Sequence, residues 1–162
     1  DYVSGKYANV GDQDAHGWTL QLAKRIDSHL RARVGYTKIH VGAAGARAVN
    51  IDGMLPEDQW NIGVDYGNRD FDSSLLVRGV VGRYGPSDAI GDFYPATNYW
   101  VVDLAMNYQI ADATKIYLKA NNIFNQFYAE QSNARSSYWG AAAGQWWTAP
   151  GRNFMIGVEQ SF

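Results

Sequence analysis

A long segment near the end of the chain, residues 125–152, carries the side chains best suited to binding a ligand. Flat indole and phenol rings stack on planar groups, and guanidinium groups make charge-assisted hydrogen bonds to anions. The segment therefore predicts a binding surface for a planar or anionic ligand, although each aromatic ring could equally be a core residue of its own loop or belong to an interfacial aromatic band. The candidate residues are Arg135, Tyr138, Trp139, Trp146, Trp147 and Arg152.

Residues that could perform catalysis or hold a resident metal ion do not fall into a recognisable pattern. The three histidines, His16, His29 and His40, have no ligand spacing in the sequence. The chain has no cysteine, which excludes thiolate zinc sites and cysteine nucleophiles. Nucleophile-elbow, phosphate-loop, calcium-loop and paired-carboxylate signatures are also missing from the sequence. We therefore expect a protein that is not an enzyme and that has neither a metal site nor a cofactor.

Composition narrows the class of protein further. At 162 residues and 46% hydrophobic content, the chain is the size of one domain with ample apolar surface. The net charge is −2 and the Lys and Arg residues are scattered, so the chain lacks the basic surface patch that is typical of nucleic-acid-binding proteins. No apolar run reaches the roughly 20 residues of a membrane helix, whereas membrane β-strands remain possible. Because the chain begins at Asp1 without a signal segment, we expect a processed product or a piece of a longer protein.

Apolar and polar residues alternate with period two along most of the chain, which predicts an all-β protein of about eight antiparallel strands. The segment from Tyr99 to Ile110 has the clearest alternation. The predicted strands are Tyr2 to Asn9, Gly17 to Ile26, Leu30 to Thr37, Gln59 to Gly67, Ser74 to Val81, Tyr99 to Ile110, Thr114 to Phe124 and Asn153 to Phe162.

The lengths of the connections are ordered in a way that favours a membrane barrel. Long connections at 42–58, 85–98 and 125–152 alternate strictly with three-residue turns at 27–29, 68–70 and 111–113. An up-and-down meander places the long connections at one end and the short turns at the other, whereas Greek-key sandwiches have no reason for this order. One face of each strand is aliphatic with terminal Trp or Tyr, and the other carries charges. A soluble barrel or sandwich, with the aliphatic face inside, is the alternative.

Motifs in the second half resemble the carboxyl end of a TonB-dependent outer-membrane receptor. The segment 99–104 reads Tyr-Trp-Val-Val-Asp-Leu, the segment 121–125 reads Asn-Asn-Ile-Phe-Asn and is followed by Tyr128, and Pro150-Gly151-Arg152 introduces the last strand. In that family the penultimate strand closes with Asn-Leu-Phe-Asp-x-x-Tyr, so Ile123 and Asn125 are mild departures. The earlier hairpins resemble the preceding strands of such barrels more loosely.

The resemblance implies a transmembrane barrel of 22 antiparallel strands with an amino-terminal plug. Residues 1–162 would be its carboxyl-terminal portion, about eight strands, with the plug absent. It also implies a place in the outer membrane of a Gram-negative bacterium and active import of a metal chelate such as a siderophore, haem or cobalamin. Expected partners are outer-membrane lipid, the remaining strands and plug of the receptor, the TonB complex through that plug, the barrel assembly machinery and the chelate.

The last strand carries a further implication of the resemblance. Phe154, Ile156, Val158 and the terminal Phe162 share one face of the predicted strand and resemble the signal read by the assembly machinery, from which Gln160 departs. Two alternatives stay open at this point. One is a small closed eight-stranded outer-membrane barrel with a structural or adhesive role, and the other is a soluble ligand-binding β-barrel.

Overall fold

Seven strands form one antiparallel sheet in the computed structural model, which describes residues 2–3, 6–7, 12–44, 56–82, 84–86, 93–95, 98–132 and 146–161. Three additional two-stranded sheets lie outside the main sheet. Within the described residues, no helix is long and apolar enough to cross a membrane. The strands are β1 (Tyr2–Val3), β2 (Lys6–Tyr7), β3 (Asp12–Arg25), β4 (Leu30–Ala44), β5 (Asp58–Gly67), β6 (Phe71–Val81), β7 (Tyr84–Pro86), β8 (Phe93–Pro95), β9 (Tyr99–Ala111), β10 (Thr114–Asn121), β11 (Ala129–Ser132), β12 (Trp146–Thr148) and β13 (Asn153–Gln160).

The main sheet is an up-and-down meander in the order β3-β4-β5-β6-β9-β10-β13, with every neighbouring pair antiparallel. Short turns at 26–29, 68–70 and 112–113 therefore lie at one end, and the longer connections at 45–57, 82–98 and 122–152 begin at the other. This confirms the predicted order of short and long connections. The pair of small strands β7 and β8 lies within the second long connection, and the pair β11 and β12 within the third.

Two of the short turns are closed by the same side-chain device. The carboxylate of Asp27 accepts hydrogen bonds from the backbone N–H groups of His29 at 2.7 Å and Leu30 at 2.8 Å. In the next short turn, the amide oxygen of Asn68 accepts from the residues two and three positions later, at 3.0 and 2.9 Å. In each turn an Asp or Asn side chain thus accepts hydrogen bonds from backbone N–H groups that have no partner in the neighbouring strand.

The apolar face of the sheet is exposed to the surroundings. One row of the cross-strand register joins Leu22, Val34, Ile62, Val77 and Val102 from five successive strands. On this face Leu22 is 58% exposed and Ile62 37% exposed. A continuous exposed apolar surface of this kind is suited to lipid contact and unsuited to water.

An aromatic row crosses the same face toward the end with the long connections. It runs from Trp18 to Tyr36, Trp60 and Trp100, with successive ring centroids 5.0, 4.2 and 6.5 Å apart. Gly79 lies between Trp60 and Trp100 in the register, and the Trp100 ring covers it so closely that a Cβ there would collide with the ring. Such a row is typical of the aromatic girdle of a membrane barrel.

The sheet is open in the structure, since β3 and β13 each pair on one side only among the described strands. The main sheet has seven strands where about eight were predicted. The prediction of one strand from Tyr2 to Asn9 was wrong. This part of the chain contains two strands of two residues each, β1 and β2, which pair with each other and place Tyr2 opposite Tyr7. Gly5 breaks the alternation of the sequence at this point, and Gly disfavours strand interiors.

Candidate functional site: the polar face and the neck of the third connection

The polar face carries an ion-paired cluster near its centre. Arg33 on β4 approaches Asp65 on β5 with 3.0 Å between Nη2 and Oδ1, and Ser74 on β6 donates its hydroxyl to the same oxygen at 2.7 Å. Gly63 makes this possible, since the Arg33 side chain lies flat across it where a Cβ would collide. Charges packed side by side in this way belong on the face that meets water or a polar partner rather than lipid.

A second ion pair on the polar face lies closer to the long connections. Arg78 on β6 approaches Asp103 on β9, with 3.1 Å between Nη2 and Oδ2. The other carboxylate oxygen of Asp103 accepts the backbone N–H of Asn122 at 2.9 Å. One carboxylate therefore connects the wall of the sheet to the start of the third long connection.

Asn122 begins the turn that leaves β10, and it is almost completely buried, with 2% of its surface exposed. Its side chain donates to the carbonyl of Gln126 at 2.8 Å and accepts the N–H of the same residue at 2.8 Å. Its φ of +51° lies in the left-handed region, which Asn tolerates better than most residues. β10 was predicted to continue to Phe124, and that was wrong because this turn ends the strand at Asn121.

The two ends of the third connection are held together by hydrogen bonds, and we call this part the neck. Asn125 accepts the backbone N–H of Arg152 at 3.0 Å through its side-chain oxygen. The N–H of Ala149 donates to the carbonyl of Tyr128 at 3.0 Å. Asn122 also donates to the carbonyl of Pro150 at 3.4 Å. The motifs at 121–128 and 150–152 thus build one structure, although more than twenty residues separate them in the sequence.

A small core anchors the neck to the polar face. Tyr128, 5% exposed, packs against Tyr99, 7% exposed, with ring centroids 4.6 Å apart. Val101 completes this cluster at 1% exposure, and Val80 and Ala149 pack against it. The first residues of the connection are therefore fixed to the inner side of the sheet, so the segments beyond them start from a rigid base.

A shallow trough of about 610 Å³ follows the polar face beside β3, β4 and β5. Its polar lining comes from Thr19, Gln21, Arg31, Arg33, Thr37 and Asn61. The hydroxyls of Thr19 and Thr37 lie 3.0 Å apart on this face. Donors and acceptors in this arrangement suit water or a hydrophilic chain segment.

The structure positions only some of the predicted ligand-binding residues. The backbone of Trp146 and Trp147 forms part of β12, paired with Ser132 and Gln131 of β11 directly beyond the neck. The guanidinium carbon of Arg152 lies 6.0 Å from the centroid of Phe154, which places this side chain beside the apolar face. Arg135, Tyr138 and Trp139 lie outside the described residues.

The predicted assembly signal lies on an edge strand. Phe154, Ile156 and Val158 share one face of β13 and are 65%, 75% and 64% exposed. Phe162 lies outside the described residues. These side chains are therefore presented along one side of a strand that has only β10 as its partner in the described sheet.

Histidines are arranged in a way that spacing along the sequence did not reveal. His16 on β3 lies directly opposite His40 on β4, with ring centroids 5.1 Å apart. The two histidines become neighbours only when the register of the β3–β4 hairpin is known. The sequence did contain a signal for this contact, because both residues lie nearly the same number of positions from the turn at 26–29. Within the described ranges, no group of three or more His, Asp or Glu side chains could hold a metal ion.

Comparison with known families gives a match over most of the chain. A sequence profile described as "TonB dependent receptor-like, beta-barrel" matches residues 1–123. No curated protein sequence is significantly similar to the chain.

Solved structures of similar fold include proteins described as a transporter and as receptors. The closed form of the ferric-catecholate import receptor Fiu from Escherichia coli K12 superposes with a TM-score of 0.73 at 20% identity, covering 98% of this chain and 22% of Fiu. The copper transporter OprC gives 0.69 at 20% identity, covering 95% and 25%. The ferripyoverdine receptor of Pseudomonas aeruginosa gives 0.68 at 18% identity, covering 93% and 20%. The chain thus spans a quarter or less of the length of these proteins, and the likeness shows a shared fold.

Proposed function

The chain belongs to the family of TonB-dependent receptor-like β-barrels, and from this premise we propose that residues 1–162 form the carboxyl-terminal portion of the barrel of an outer-membrane receptor. The receptor takes up a metal chelate, such as a siderophore, haem or cobalamin, across the outer membrane of a Gram-negative bacterium. Energy reaches it from TonB through a plug domain supplied by another part of the receptor. This portion performs no covalent chemistry and provides barrel wall and extracellular connections.

The observation that carries this proposal is the contrast between the two faces of the sheet. Leu22, Ile62 and Ile156 expose aliphatic surface on one face, while Arg33 and Asp65 form an ion pair on the other. Lipid outside and a polar lumen inside satisfy both faces at once. A soluble barrel would instead enclose the aliphatic face and turn the ion pairs to water, and the family match over residues 1–123 favours the membrane arrangement over it. The closed eight-stranded barrel is disfavoured because β3 and β13, at the two edges of the sheet, do not pair with each other or with any other described strand on their outer sides.

The neck supports a ligand-binding role for the third connection. It ties Asn125 to Arg152 and Tyr128 to Ala149, so the two ends of the connection are held together on the polar face of the sheet. Trp146 and Trp147 lie within a few residues of one of these ends. Stacking of rings on a planar or aromatic chelate and guanidinium bonds to its anionic groups would then hold the ligand at the mouth. The proposed contacts are Arg135, Tyr138, Trp139, Trp146, Trp147 and Arg152.

Uptake by the full receptor tests the transport function. The complete receptor is expressed in a bacterium lacking its own receptors for these ligands, with and without a functional TonB. Accumulation of radiolabelled ferric catecholates, ferric hydroxamates, haem, copper chelates and cobalamin is then measured. We expect TonB-dependent accumulation of at least one of these chelates. Accumulation of none of them, or accumulation that persists fully without TonB, would contradict the proposal.

Substitution in the third connection tests the ligand contacts. Replacing Arg135, Trp146 and Trp147 together by Ala should weaken binding of the transported chelate at least tenfold, because each stacked ring or charged hydrogen bond contributes on the order of 1 kcal/mol or more. Phe127→Ala is the control, since Phe127 is an exposed aromatic of the same connection outside the candidate set. Equal affinity of the triple variant and the unaltered receptor would exclude these residues as contacts.

A further inference from the structure

His16 and His40 are placed as two ligands of one metal ion would be. They are directly opposed across β3 and β4, and their ring planes are inclined by 50° with centroids 5.1 Å apart. A metal–nitrogen bond of about 2.0 Å puts the metal about 3 Å from each ring centre, so two imidazoles at a tetrahedral angle have centroids about 5 Å apart. The observed spacing of the rings meets that requirement without movement of the backbone.

A carboxylate lies beside one of the two rings. Asp14, on the same face of β3, lies with Oδ2 3.4 Å from Nδ1 of His16. The carboxylate is therefore next to Nδ1, which leaves Nε2, on the other side of the ring, as the nitrogen available to a metal ion. Carboxylate, imidazole and metal in this order are the usual outer arrangement of a histidine ligand. The negative charge of Asp14 also favours a cation at the pair.

The pair is accessible from water. The side chain of His16 is 67% exposed, and it stands two residues from Trp18 toward the end of the sheet with the long connections. Two residues of a strand advance about 7 Å, so the pair lies just beyond the aromatic row. The nearest other charged group on this face of β4, Lys38, is neutralised by Asp58 at 3.1 Å. The cation closest to the pair on this face of β4 is therefore already compensated by a carboxylate.

We propose that His16 and His40, with Asp14 behind His16, form a binding site for a divalent first-row transition-metal ion on the outer wall of the sheet. Imidazole nitrogen suits copper, zinc and nickel, and copper(II) binds most tightly in the general order of these ions. Two protein ligands leave the remaining coordination positions to water or to donor atoms of a small chelate. The site is separate from the proposed ligand contacts of the third connection and does not depend on transport.

Copper titration of the purified full receptor in detergent tests the site. Binding stoichiometry is measured by isothermal titration with Cu²⁺, and electron paramagnetic resonance reports coupling from coordinated imidazole nitrogens. The variants are H16Q and H40Q, with H29Q as the matched control, because His29 is the third histidine and lies in the turn at the opposite end of the sheet. Heat-modifiable mobility in gels verifies that each variant retains its folded barrel.

The unaltered receptor and H29Q should bind one Cu²⁺ more than H16Q or H40Q, with coupling from two nitrogens that each of these variants loses. D14N should keep the stoichiometry and weaken the affinity about 10-fold or more, as expected for loss of an orienting carboxylate. Equal stoichiometry and identical spectra for H16Q, H40Q and the unaltered receptor would overturn the proposal. An unchanged affinity in D14N would refute the role assigned to Asp14.

Discussion

The backbone N–H of Asn122 donates to the Asp103 carboxylate at 2.9 Å, which joins the turn after β10 to the ion pair that Asp103 forms with Arg78. The same Asn122 reaches Gln126 and Pro150 through its side chain. Asn122 therefore couples the folding of the neck to the ordering of the polar face, in addition to the packing of Tyr128 on Tyr99.

Replacing Asn122 tests this coupling. Asn122→Ala removes the side-chain bonds and places a less tolerant residue at φ +51°, and should lower the free energy of unfolding by about 1–3 kcal/mol. Asn122→Gly removes the same bonds but accepts this backbone conformation, so its loss should be smaller. Urea midpoints of the purified receptor measure both. Asn121→Ala, at the exposed neighbouring position, is the control, and a loss there equal to that of Asn122→Ala would contradict a special role for Asn122.

The strand faces could be predicted from the sequence, because a period of two needs only local residues. Leu22, Ile62 and Val102 each lie on the aliphatic face that the alternation predicts for its strand, and the register joins them in one row. The end of β10 could not be predicted in this way. Asn122 continues the alternation, and what turns the chain there is its bonding to residues 126 and 150, which only the folded neck brings together.

The histidine pair shows the same limit of sequence reasoning. His16 and His40 stand 24 positions apart, outside any linear ligand motif, and only the register of the β3–β4 hairpin sets them side by side. A turn position that is wrong by one residue would place one ring on the opposite face. Ligand contacts in the third connection remain a prediction, since that part depends on long-range packing beyond the neck.

Gly79 provides a test of the aromatic row. Gly79→Ala places a Cβ against the Trp100 ring, which must shift away from Trp60, and should destabilise the receptor by about 1 kcal/mol or more. Gly35→Ala is the matched control in the same sheet, since its new Cβ would lie 3.8 Å from the nearest atoms, an ordinary contact distance. Urea midpoints and the fluorescence of the Trp row measure the effect. Equal urea midpoints for the two variants would show that packing of the Trp100 ring does not require glycine at position 79.

The central ion pair should contribute little to stability despite its short distance. Arg33 and Asp65 are 46% and 32% exposed, so solvent screens their attraction, and a double-mutant cycle with Arg33→Gln and Asp65→Asn should give a coupling of about 1 kcal/mol or less. Raising the salt concentration should reduce the coupling further. A coupling that is several times larger and insensitive to salt would mean that the pair is shielded from water in the complete receptor, for example by a domain filling the lumen.

The stability of the receptor should depend on pH through the carboxyl group of Asp27 in the first short turn. Hydrogen bonds from the backbone N–H groups of His29 and then Leu30 hold the pKa of the Asp27 carboxyl below its ordinary value. Because the folded-state pKa is the lower one, this stabilisation is complete above the unfolded value of about 3.9 and is lost as the pH falls through the folded value. Asp27→Asn keeps an acceptor oxygen, as Asn68 does in the next short turn, but carries no charge. The stability difference between the unaltered receptor and this variant should thus shift toward the variant as the pH falls below about 4. Urea midpoints between about pH 5 and pH 2 measure it, and a difference that stays the same over this interval would show that the charge of Asp27 contributes nothing to the turn.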